Sequence, residues 1–135
     1  MKHPLLSVVT VLCLSAPALA QTQPLECPQP APVFAEAGSN TLDLSQLAQT
    51  VGTAQLDDQS LYTVAQQIRG DYPNATDADV ADIMITAFCT YLNSDAPADH
   101  RSEANVRGFE QATYDAVFGG PPPHDYPLHG WLYGN

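Results

Sequence analysis

The segment that most constrains this chain is residues 76–92. Thr76-Asp77-Ala78-Asp79 pairs a threonine with an acid three positions later, the pattern in which each side chain takes up the other's free backbone N–H at a helix start. Asp77 and Asp82 add negative charge near the positive end of the helix dipole. Val80, Ile83, Met84, Ala87, Phe88 and Tyr91 then recur at helical spacing, and Ile85, Cys89 and Leu92 widen that stripe into a second face. A helix apolar over so wide an arc must be covered on more than one side, so this segment predicts the centre of a helical bundle.

The partners are legible around it. Asp43-Leu44-Ser45-Gln46 reads as a helix start, and Leu44, Leu47, Ala48 and Val51 share a face before Gly52, where a stop is expected. A second helix is expected from Asp57 to Arg69-Gly70, with Leu61, Val64, Ala65 and Ile68 on one stripe. A fourth is expected from about Ala98 to Phe118, with Val106, Phe109, Thr113, Ala116 and Val117 inward and Glu103 and Arg107 as an i, i+4 ion pair. Gly108 falls inside it, and its cost against alanine of about 1 kcal/mol predicts a second backbone crossing there. Gly119-Gly120 and Pro121-Pro122-Pro123 end the pattern. No alternating strand pattern is visible, so the fold class is all-α, a small bundle of about four helices.

The termini differ in kind. Residues 1–20 read as a signal peptide: Lys2 and His3, an apolar run from Leu5 to Leu14 too short to span a bilayer, and Ala18-Leu19-Ala20 as cleavage site. Cys13 belongs to that apolar run, because Thr10-Val11-Leu12 before it are not the small residues a lipid-attachment site uses. Residues 21–42 form a proline-rich arm, 43–120 the helical domain and 121–135 a Pro/His/aromatic tail. The expected location is periplasmic or secreted, in a bacterium. Cys27 and Cys89 are then the cysteines of the exported chain, and an oxidising compartment predicts a disulfide between them. The bridge would staple the arm onto the third helix, with Val33-Phe34 as an apolar pair available to dock beside it.

Charge excludes several functions. Past the signal, Arg69, Arg101 and Arg107 are the only basic side chains besides histidine, against fifteen carboxylates in a chain of net charge −11. Binding to nucleic acid or to anionic lipid depends on clustered Lys and Arg, so neither is expected. The run Asp77, Asp79, Asp82 lacks the completion of a calcium loop and sits in a first helical turn, where capping explains it. No nucleophile elbow, phosphate loop or haem motif is present, so no catalytic residue and no cofactor are expected and the chain reads as non-enzymatic.

Residues 75–89, Ala-Thr-Asp-Ala-Asp-Val-Ala-Asp-Ile-Met-Ile-Thr-Ala-Phe-Cys, resemble the central segment of a group of small exported bacterial helical proteins of unknown function. A similar Thr/Ser-Asp-Ala-Asp start there leads to an alanine, an aromatic residue and a cysteine. Those proteins often continue with proline, where this chain has Thr90. The resemblance implies export and a helical fold, and no catalytic residue.

The leading expectation is a binding module that contacts another envelope protein or peptide, of open oligomeric state. One alternative is a metal-binding protein using His124, Asp125 and His129, with His100 and Asp99 as further candidates, since imidazole and carboxylate suit Zn, Cu or Ni. The bland alternative for that tail is a surface segment whose Tyr126, Leu128, Trp131 and Leu132 fold back on the domain. A further alternative is an acid-stress chaperone, because small acidic periplasmic helical proteins with one disulfide are similar in size and class to this chain.

Overall fold

The computed structural model describes residues 23–35, 42–54 and 58–119. Among these residues the chain forms four α-helices, α1 (Leu44–Ala54), α2 (Asp58–Asp71), α3 (Asp77–Ser94) and α4 (Glu103–Phe118), with single 3-10 turns at Pro32–Phe34 and Ala98–His100. No strand occurs among the described residues. The all-α bundle expected from the sequence is therefore the fold.

α3 is its axis. Ten of its residues are buried, among them Val80, Ile83, Met84, Ala87 and Leu92, and it carries the expected Thr76–Asp79 capping box. Each half of that box is short: the Thr76 N–H donates to Asp79 Oδ2 at 2.8 Å, and the Asp79 N–H donates to Thr76 Oγ1 at 3.2 Å. α1 and α4 pack chiefly on α3, and α2 packs chiefly on α4. At the centre Phe88 of α3 stacks on Phe109 of α4 with ring centroids 4.0 Å apart. Arg69, Asp77 and Val117 tie the ends of three helices together: the guanidinium pairs with Asp77 Oδ1 at 2.7 Å and donates to the Val117 carbonyl at 3.0 Å.

Three sequence expectations are corrected. α1 does not stop at Gly52 but runs to Ala54. Gly52 is instead the point of closest packing: a Cβ there would lie 2.4 Å from the Tyr91 ring, so only glycine lets α3 come this near. Conversely, no backbone crosses Gly108; it is exposed, and an added Cβ would meet nothing within 4 Å. The fourth helix does not start at Ala98. Arg101 leaves helical geometry with ψ 88° and sends its guanidinium back to the Leu92 and Asn93 carbonyls at 3.1 and 3.0 Å, closing the end of α3. Ser102 then caps α4 by accepting the Asn105 N–H. Gly119, at φ 71°, ends α4 as its position in the sequence predicts. The expected start of α2 at Asp57 lies outside the described residues.

The arm is fastened at three points. Cys27 and Cys89 are joined, S–S 2.02 Å. One turn along α3, the Asn93 amide accepts the Leu25 N–H and donates to the Leu25 carbonyl, both at 2.8 Å, serving this proline-flanked stretch as a strand partner would. Farther on, Phe34 is 2 % exposed and meets Tyr72 edge to face at 5.2 Å. Burying that ring stabilises the arm by roughly 1.5–3 kcal/mol.

Candidate binding groove

Closing α1 against α3 and α2 against α4 leaves the seam between α1 and α2 thinly packed. Two depressions, of about 410 and 670 Å³, run along it and share Gln46, Thr50 and Val64. The floor is apolar: Leu47 from α1, Val64 and Ile68 from α2, and Tyr72 just beyond α2. The walls are neutral and polar, with Gln46, Gln49, Thr50 and Thr53 on α1 facing Ser60, Thr63 and Gln67 on α2. Asp43 and Asp71 stand at one end, and among the described residues no Lys, Arg or His lines either depression.

The local sequence explains this division. Along α1, Ala48 and Val51 with Gly52 form the buried stripe that meets α3, whereas the polar residues stand on the remaining arc and are exposed. The threonine hydroxyls are turned onto their own helix: Thr50 donates to the Gln46 carbonyl at 3.0 Å and Thr53 to the Gln49 carbonyl at 2.7 Å. Gln46, Gln49 and Gln67 make no side-chain hydrogen bond among the described residues. Each therefore presents one carbonyl and one NH₂ to whatever enters. Asp43 receives the Ser45 and Gln46 N–H groups at 3.0 and 3.1 Å, and so is held as the start of α1. At the floor, burial and secondarily the Asp71 charge push the Tyr72 phenol above its ordinary value, which keeps it neutral.

Other polar groups do not open onto this groove. Glu110 is 2 % exposed, the buried charged-type residue among those described, and Tyr114 Oη donates to its Oε1. Such enclosure separates it from any solute, so the pair reads as a polar element of the bundle. Asp77 and Asp79 are taken up by Arg69 and by the cap, as capping predicts. His100 and Asp99 are exposed in the turn before α4, and no group of three or more His, Cys, Asp or Glu able to hold a metal ion occurs among the described residues. His124, Asp125 and His129, with Trp131 and the rest of the tail, lie outside the described residues. So do residues 1–20, where a signal peptide is expected; no helix among the described residues is long and apolar enough to cross a membrane.

Sequence reading missed Asn93 and the groove. Asn93 stands four residues after Cys89, on the same face of α3, so a cysteine with a hydrogen-bonding neighbour one turn away was a usable signal for an anchored arm. The groove had no such signal, because glutamine and threonine on a helix face read as solvated surface. Comparison of the chain with models of protein families, with curated proteins and with solved structures found no match.

Proposed function

We propose that this protein is a non-enzymatic binding module of the bacterial envelope or exterior, and that it holds part of another protein in the groove between α1 and α2. The observation that carries this reading is the groove's composition: an apolar floor under neutral walls of unengaged glutamine amides. Floors of this kind supply burial, and a few oriented polar groups supply register. The disulfide-fastened arm supports the same reading, since Phe34 packs against Tyr72 at the groove floor and stiffens that end. The cysteine bridge and the expected signal peptide favour the periplasm or the exterior as the place of action.

The test is capture of envelope proteins by the oxidised domain beside a Thr50→Trp variant. Thr50 is exposed, so the indole fills the groove without entering the core. A protein retained by the wild type and lost from the variant supports the reading. Equal retention by both places recognition elsewhere on the molecule and overturns the groove as the site.

A further inference from the structure

Resting on the groove reading above, we infer that the occupant is an extended polypeptide segment of about five residues with a cationic side chain or free amino group at one end. Length comes first. From Asp43 to Ala54 the α1 wall runs about 16 Å at 1.5 Å per helical residue, the span of about five extended residues at 3.3 Å each. The walls then favour main chain as the ligand. A glutamine side-chain amide offers the same donor and acceptor as a peptide group, and Asn93 already uses its amide in this way toward Leu25 in the same molecule.

Polarity follows from charge. Asp43 and Asp71 lie at one end and the rest of the lining among the described residues is uncharged, in a protein of net charge −11. The three described arginines do not neutralise that end: Arg69 is paired with Asp77, Arg107 with Glu103, and Arg101 closes α3. An acidic segment is therefore repelled, and a segment with a basic end is oriented. An oligosaccharide is disfavoured, because the aromatic ring in the lining, Tyr72, is 7 % exposed and offers no open face for stacking.

The probes are two five-residue peptides with the same alternating apolar and neutral residues, one ending in arginine and one in aspartate, titrated into the oxidised full-length mature protein and followed by amide chemical shifts. The arginine peptide is expected to move the Gln46, Thr50 and Gln67 signals, to bind at least tenfold more tightly than the aspartate peptide, and to weaken as salt rises. Asp43→Asn with Asp71→Asn should reduce its affinity about three- to tenfold; asparagine caps a helix as well as aspartate, so α1 is retained. Equal binding of both peptides, shifts confined to another face, or binding of a chitotetraose probe in place of either peptide would overturn the inference. If neither peptide binds while a captured protein still depends on Thr50, the cationic-strand inference fails and the groove reading stands. If Thr50→Trp leaves both unchanged, both fail.

Discussion

The two flanks of α1 are built from the same eleven-residue helix and end in opposite states. Toward α3 it presents Ala48, Val51 and Gly52, all buried, and the Tyr91 ring rests directly on the glycine. Toward α2 it presents Gln46, Gln49, Thr50 and Thr53, and the helices stay apart around a groove. Small residues let two helices approach until dispersion contacts are complete, whereas long polar side chains keep their hydration and hold the neighbour off. One flank thus stabilises the fold, and the other remains available to a ligand.

The largest expected effect comes from releasing the arm that stiffens the groove end. The chain-entropy account gives about 4 kcal/mol for a bridge closing the 62-residue separation, so Cys27→Ala with Cys89→Ala should lower the denaturant midpoint by that equivalent. An unchanged midpoint would mean that the arm contributes nothing to the domain. Next is the closed flank: Gly52→Leu forces atoms into the Tyr91 ring and should cost about 3 kcal/mol, read by thermal or chemical unfolding. Removing the amide clamp with Asn93→Ala leaves both Leu25 backbone groups without their partner and should cost about 1–2 kcal/mol, with faster hydrogen exchange at the Leu25 N–H. Gly108→Ala separates the two kinds of glycine: in open space on a helix it should stabilise by up to about 1 kcal/mol, the opposite sign to Gly52. The smallest effect belongs to the open flank, where Thr50→Trp should change stability by no more than about 0.5 kcal/mol. A large loss there would show that the two flanks are not distinct.

Much of the bundle was readable because helices announce themselves locally. The Thr76–Asp79 cap, the stripes of α2 and α3 and the stop at Gly119 each follow from spacing within a few residues. The misreadings concern what local spacing does not contain. Gly52, read as a helix stop, and Gly108, read as a crossing point, both lie within helices, and they differ in whether Tyr91 of another helix lies above them. Arg101 sits within a segment of helical composition, yet its guanidinium bonds to the end of α3 and the helix begins two residues later.

By itself, then, the sequence determined the class of fold and the central place of α3, because periodicity and capping act through near neighbours, and it pointed to the pairing of Cys27 with Cys89 once Cys13 was assigned to an expected signal peptide. Only the tertiary structure decided which flank of α1 closes and which stays open. That outcome depends on how far two helices can approach, and the residues setting the distance, Gly52 with Tyr91 on one side and Gln46 with Gln67 on the other, are brought together only by the fold.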